Sequence, residues 1–465
     1  MNNLSRAILM ALGAFGFVAS AQAGTYVVTA NGQSFDNKLA HKVEAAGGVI
    51  TARLPQIGVV IVEVPDSDKD FERRASRIPG IRSAVADFEM QFELPEPQYS
   101  MAAHFANPPN SGDDDFWFDF QWGHAAIDAA GAWNQGYRGA GATVAVLDSG
   151  VYCAHADISP NLNAALSKSF VAGEGYCNTS GSTHGTHTMG TIGAADNATG
   201  PIGVAPEAEL IAVKVLSASS GSGSFAGIIQ GIVYAADAGA DVINMSLGVR
   251  GGLPVNGKGA NGVAELVNAT KRAAQYARKQ NALIVASAGN DGRDLDHDSG
   301  VEICDADGCY RANLRSFPSE LPGVLSISAT APIGWALDFN TNLDRLASYS
   351  NYGKSAIAFG GPGGDFSYPG NEACTIKGIT VPCWAFDMVL STTRTGFVGW
   401  SAGTSMAAPH VSGVAALVIG KHGGEMAPSA VEGILRASAD QTGKAGNDIT
   451  VGKGRVNASK AVAID

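Results

Sequence analysis

Two patterns of hydrophobic and polar positions divide this chain. From Phe116 to Asp465, short apolar runs alternate with longer stretches of helical period. The runs at Thr143–Leu147, Leu210–Val215, Val242–Met245, Leu283–Ala286 and Val324–Ala329 have the length of buried strands. His184–Ala194, Phe225–Ala238, Val263–Lys279 and Met406–Val418 read as helices. Strand and helix in alternation imply right-handed βαβ units, hence an α/β fold with a mainly parallel sheet and helices on both faces. Residues Thr25–Phe92 are patterned differently. Thr25–Thr29 is strand-like, Phe35–Ala46 helical, Val49–Leu54 and Gly58–Val64 two strands, Phe71–Ile78 a second helix and Ser83–Phe92 a closing strand. That β-α-β-β-α-β order predicts a small α+β unit of ferredoxin-like topology.

Two segments carry no such pattern. Leu94–Asp115, rich in Pro, Asn, Ser and Asp, breaks every period and is expected to be an exposed linker. Met1–Arg6 is weakly basic, Ala7–Ser20 apolar, and Ala21, Gln22 and Ala23 supply small residues where cleavage is expected. This is the pattern of a secretory signal peptide, too short to span a membrane. The expected units are residues 1–23, 24–95, 96–115 and 116–465.

Composition narrows the partners. With 45% hydrophobic residues, 59 glycines and only 16% charged residues, the chain can bury a large, turn-rich core. A net charge of −12 without any basic run argues against nucleic acid. Six cysteines fit an oxidising compartment. About 15 pairings are formally possible; closeness along the chain favours Cys153–Cys177, Cys304–Cys309 and Cys374–Cys383. No CxxC spacing points to a metal.

The chemistry is concentrated in three places. Ser405, in Gly403-Thr-Ser-Met-Ala407, opens an apolar helix, where unpaired N–H groups and the helix dipole favour a developing negative charge. Asp148 ends an apolar strand, and His184 starts a small-residue helix. An acid, a histidine and a serine in that chain order are the parts of an activated nucleophile. His184 and His187 compete as base, and His187 is better read as packed in its helix. Metal binding by the pair is disfavoured, because no HExxH glutamate accompanies it.

Four motifs, Asp148-Ser-Gly150, His184-Gly-Thr-His187, Ser287-Ala-Gly-Asn290 and Gly403-Thr-Ser-Met-Ala407, occur in one order. Together they resemble the subtilisin family (subtilases) of serine endopeptidases. The resemblance implies that Ser405 attacks the peptide carbonyl, His184 moves its proton and Asp148 orients the imidazole. It implies that Asn290, with the Ser405 N–H, donates to the oxyanion. Gly221, Ser222, Gly223 and Ser224, with Ser246, Leu247 and Gly248, resemble the two segments that bracket a peptide by strand addition. The unit at 24–95 resembles the family's inhibitory propeptide, so a self-processing, secreted zymogen is expected. No catalytic cofactor is implied; structural calcium is, with Asp157 and Asn197 as its candidate ligands. The expected partners are protein or peptide substrates and the chain's own propeptide, with no nucleic acid and no membrane span, and the chain acting as a monomer.

Three other readings fit the sequence less well. Asp291, Asp294, Asp296, Asp298, Asp305 and Asp307 form an acidic insertion in which Asp294, Asp296 and Asp298 alternate like the first ligands of a calcium loop, but Ser299 stands where that loop needs Gly and Asp305 where it needs Glu. A solvated, disulfide-pinned loop is the better reading. Gly399-Trp-Ser-Ala-Gly403 matches the esterase elbow, yet no acid-then-histidine pair follows it. A catalytically silent binding protein on the same scaffold is opposed by Asp148, His184, Asn290 and Ser405 all being present.

Overall fold

The small unit follows its periodicity. In the computed structural model, the described residues are 24–65, 68, 70–102, 115–178, 180–197, 199–257, 260, 262–305, 308–442 and 448–465. The expected signal peptide and Asp307 lie outside them. Thr25–Ala30 (β1), Asn37–Ala45 (α1), Val49–Leu54 (β2), Val59–Glu63 (β3), Phe71–Ala75 (α2) and Ile81–Ala86 (β4) form an antiparallel sheet in the order β2-β3-β1-β4. Strand alternation gives the sheet two apolar faces. Val28, Val60 and Val62 pack with Val43 of α1 and Phe71 of α2. Val27, Val59 and Ile61 join the core of the larger unit instead. Arg82 holds Glu265 there by two hydrogen bonds of 2.7 and 3.1 Å.

The closing strand is shorter than the expected Ser83–Phe92, because it stops at Ala86. Asp87 turns inward, accepting from the Phe88 N–H at 3.0 Å and the Ala226 N–H at 3.3 Å. Burial raises its pKa to about 6. Glu89–Gln91 (β5) and Tyr99–Ala102 (β6) then pair with the larger unit. The expected exposed linker at 96–115 is therefore corrected: Tyr99–Ala102 is a strand, and Asp115 is buried. Composition misled here because the segment's backbone groups are satisfied by a strand far along the chain, a partner no local period reveals. Residues 103–114 lie outside the described ones.

The larger unit starts with two short helices, Trp122–Ala126 (α3) and Ala129–Asn134 (α4). Thr143–Asp148 (β7), Lys168–Ser169 (β8), His184–Gly193 (α5), Glu209–Lys214 (β9), Ser222–Ser224 (β10) and Phe225–Asp237 (α6) follow. Next come Val242–Met245 (β11), Leu253–Pro254 (β12), Val263–Lys279 (α7), Leu283–Ser287 (β13), Val301–Asp305 (β14), Gly308–Ala312 (β15), Leu314–Arg315 (β16) and Val324–Ala331 (β17). Arg345–Leu346 (β18), Phe359–Pro362 (β19), Ala373–Ile376 (β20), Ile379–Pro382 (β21), Val389–Thr392 (β22) and Phe397–Ser401 (β23) lead into Thr404–Lys421 (α8), Pro428–Ser438 (α9) and Ala458–Val462 (α10).

The main sheet runs β18-β17-β13-β11-β7-β9-β8, with β19 also on β17, and only β18 is antiparallel. Alternation along each strand explains the two layers of helix. Val144, Val146, Leu210 and Ala212 pack with α5 and α8, whereas Ala145, Leu147, Ile211 and Val213 pack with α6 and α7. This is the expected mainly parallel α/β fold. Cys153–Cys177 and Cys374–Cys383 are disulfides. The β14–β15 register sets Cys304 opposite Cys309, and Cys309 is disulfide-bonded. The acidic insertion is less solvated than expected. Asp298 is buried beside Arg293, at 3.6 Å, and burial raises its pKa.

Candidate active site

Asp148 is the last residue of β7, at the carboxyl end of the parallel sheet, where such folds gather ligands. The chain leaves it through Gly150, whose φ of 92° suits glycine and whose absent Cβ would lie 2.6 Å from the Tyr176 carbonyl. The Asp148 carboxylate accepts from the Ser149 N–H at 2.6 Å, which holds it against the turn. Buried Lys214 faces the same turn, donating to the Ser149 carbonyl and pairing with Glu174 at 3.0 Å.

His184 is the first residue of α5, and its Nδ1 lies 2.8 and 3.0 Å from the two Asp148 oxygens. Gly185 permits this approach, since a Cβ there would stand 2.2 Å from the Gly150 carbonyl. A carboxylate only accepts, so Nδ1 carries the proton and Nε2 keeps its lone pair. Nε2 is buried with no hydrogen-bond partner. Burial pulls the imidazole pKa down, but the charge and hydrogen bond of Asp148, with the charge of Glu96, outweigh it and hold His184 above its ordinary value. His187 differs. Its Nε2 donates to the Val389 and Gly399 carbonyls at 3.1 and 3.2 Å, and burial drops its pKa to about 3. It is the packed histidine of the pair.

Ser405 is the second residue of α8 and is buried. Helices α5 and α8 pack together, and the structure joins His184 to Asp148 by hydrogen bonds but shows none between His184 Nε2 and Ser405. Asn290 follows β13 and is tied to the start of α8. Its Oδ1 accepts from the Thr404 N–H and hydroxyl, both at 2.8 Å. This fixes the amide so that Nδ2 points elsewhere, to the Glu93 carboxylate at 2.9 Å.

Glu93 belongs to a strap that threads the whole cleft. β5 pairs antiparallel with β10, placing Gln91 opposite Ser222 and Glu89 opposite Ser224. The Phe92 N–H donates to the Gly221 carbonyl and the Glu93 N–H to the Gly248 carbonyl, both at 3.1 Å. The two sequence-predicted segments, Gly221–Ser224 and Ser246–Gly248, are thus brought to one peptide. Ser246 and Leu247 contribute backbone position alone, because their side chains are buried in the core. Glu96 then accepts from the Thr183 N–H at 3.1 Å and the Thr183 hydroxyl at 2.7 Å, and from the Ser182 hydroxyl, at the start of the helix that carries His184. Glu93 and Glu96 were missed in the sequence. Two acids set among Pro95 and Pro97 gave a loop signal and nothing more.

Asp157 and Asn197 also meet, with Asn197 Nδ2 donating to Asp157 Oδ1 at 3.2 Å. Asp115 is their unforeseen neighbour. Burial raises the pKa of Asp157 to about 8 and that of Asp115 to about 7, and the Asp115 charge raises Asp157 further. Oδ2 of each is buried without a hydrogen-bond partner. Gly200 leaves open a position where a Cβ would stand 1.7 Å from Asp157 Oδ2. Such a donor set suits a hard cation. Among the described residues, no three His, Cys, Asp or Glu side chains cluster to hold a metal, so Asn197 and backbone carbonyls would have to complete the shell.

Comparison with known proteins shows the family. The profile of the Subtilase family matches residues 139–454. Subtilisin DY of Bacillus licheniformis is 34% identical over 329 residues, spanning 70% of this chain and 93% of that protein. Subtilisin E of Bacillus subtilis is 33% identical over 341 residues, 73% of this chain and 70% of that one. The solved structure of the epidermin leader peptide processing serine protease of Staphylococcus aureus superposes with a TM-score of 0.72 at 21% identity, covering 95% of this chain and 98% of that one. That likeness extends the shared fold over the small unit and the strap. With its parallel sheet and this kinship, the chain belongs to the subtilase family and is a serine-type endopeptidase.

Proposed function

We propose that this endopeptidase is an exported zymogen that processes itself, with Asp148, His184 and Ser405 as its catalytic triad and residues 24–102 as its intramolecular inhibitor. The observation that carries the inhibitor reading is the strap: a peptide strand-paired at β10 whose Glu93 carboxylate sits on the Asn290 amide. A substrate would take the same path by strand addition. Ser405 Oγ attacks its carbonyl carbon while Nε2 of His184 accepts the hydroxyl proton. Asp148 stabilises the imidazolium, and the proton passes to the leaving amine. Water then attacks the acyl-enzyme with His184 again as base. The oxyanion takes the Asn290 amide, which Glu93 must first vacate.

Asn290→Ala is expected to lower kcat on the order of 10²–10³-fold, the cost of one oxyanion donor in subtilisin. Peptide hydrolysis after processing measures it, and circular dichroism should show the fold retained. Wild-type turnover in that variant would remove Asn290 from the role. The zymogen reading is tested by expressing the full chain and sequencing the N-terminus of the active product. Recovery of an active enzyme that still begins at Gly24 would sink it.

Calcium fits the pocket of Asp115, Asp157 and Asn197. Bound there, it would neutralise two buried carboxylates and fasten the turn after α5 to the segment that precedes α3. Calcium at about a hundredfold above its Kd stabilises by about 2.7 kcal/mol. EGTA is therefore expected to lower the Tm by several degrees, with recovery on adding Ca²⁺. An unchanged Tm would argue against the site.

A further inference from the structure

The cleft is longer than its catalytic centre requires. Beyond Glu96 the strap continues as β6, which adds to the free edge of β23, the other edge being taken by β22. Tyr99 lies opposite Trp400, Ser100 opposite Gly399, Met101 opposite Val398 and Ala102 opposite Phe397. The Gln98 N–H donates to the Trp400 carbonyl at 2.9 Å, and the Ser401 hydroxyl to the Pro95 carbonyl at 3.2 Å. β23 leads through Ala402 and Gly403 into the helix that carries Ser405, so this edge directly precedes that helix in the chain.

Two features fit this edge to receive a strand. Gly399 has no side chain where a Cβ would lie 2.8 Å from both Pro97 Cβ and the Tyr99 carbonyl. Any larger residue would hold the incoming backbone off. Trp384 meets the Tyr99 ring edge to face, with centroids 5.5 Å apart at 69°. It follows Cys383, whose disulfide to Cys374 ties down the β20–β21 hairpin, and its Nε1 donates to Asn371 at 3.3 Å. Tyr99 and Met101, two apart on one face of the strand, both pack against this aromatic cluster, while Ser100 between them is exposed.

We propose that the β23 edge and Trp384 form an extended substrate site for residues after the cut bond. Its ligand is an extended peptide carrying an aromatic side chain eight positions beyond the residue paired with Ser222, as Tyr99 is beyond Gln91. The proposal rests on the reading that processing finishes beyond Ala102 and releases residues 24–102, since a cut within the strap alone would leave Tyr99–Ala102 on this edge. The enzyme thereby selects long, extended chains over short peptides.

The test uses enzyme matured from the full chain and a substrate series. A short amide with residues only before the bond reports the reaction itself. Peptides are then lengthened stepwise after the bond, with Tyr or Ala at each added position. Lengthening is expected to raise kcat/KM on the order of tenfold, with Tyr favoured at one position only. Trp384→Ala should collapse both the length gain and the Tyr-to-Ala ratio. A matured enzyme that cleaves the short amide but ignores length, or keeps its aromatic preference in Trp384→Ala, overturns this proposal alone. A chain that retains residues 24–102 and cleaves neither class overturns the zymogen reading and the proposal with it.

Discussion

Ser405→Ala is expected to abolish turnover, by on the order of 10⁶-fold in kcat, and to leave the chain uncut with residues 24–102 attached. The magnitude is that of the equivalent loss in subtilisin, where removing the nucleophile costs about as much as removing the whole triad. The reason is that His184 and Asp148 only prepare a nucleophile. With no oxygen at position 405, the His184 Nε2 lone pair has no proton to take. The change deletes one atom from the buried start of α8, so the fold should persist. Mass spectrometry of the purified chain and hydrolysis of a peptide amide read both outcomes. Processed product at the wild-type rate would exclude Ser405 as nucleophile.

Asp148→Asn should cost on the order of 10⁴-fold in kcat, again by analogy with the triads of subtilisin and related enzymes. Asp148 accepts a hydrogen bond from the Nδ1–H at 2.8 Å, whereas an amide nitrogen in its place would donate to Nδ1 and push the imidazole proton to Nε2. The base would then face Ser405 with its lone pair used. A change in pH dependence should accompany the loss. Asp148 is the main influence raising the His184 pKa against the lowering effect of burial. Without its charge, His184 loses its proton at lower pH, so the acid limb of the residual activity should move to lower pH. A kcat profile from about pH 5 to pH 9 measures this. A limb that stays in place or moves upward would refute the assigned electrostatics.

Much of the site was legible because its residues sit where regular elements begin and end. Asp148 closes a strand of five apolar-patterned positions, and His184 and Ser405 open helices, so periodicity located them. Parallel-sheet topology then gathers strand ends without further instruction. Asn290 could be read for the same reason. What stayed illegible depends on partners far along the chain. Glu93 lies 197 positions from Asn290, and Glu96 lies 87 from Thr183. Asp115 was lost in a linker composition, although its carboxylate is buried near Asp157.

The strap shows the same division. Its Pro-rich stretch reads as loop because strand propensity is judged locally, while its actual order comes from edges supplied by β10 and β23. Local pattern, caps and glycines are written in the sequence, since they act within a few residues. By itself, then, the sequence determined the α/β framework, the small β-α-β-β-α-β unit and the positions of the residues proposed for acyl transfer. Only the tertiary structure decided that the chain between them lies in the cleft with a carboxylate on the Asn290 amide. Hydrogen-bond and burial partners across such distances exist only once the sheet has formed.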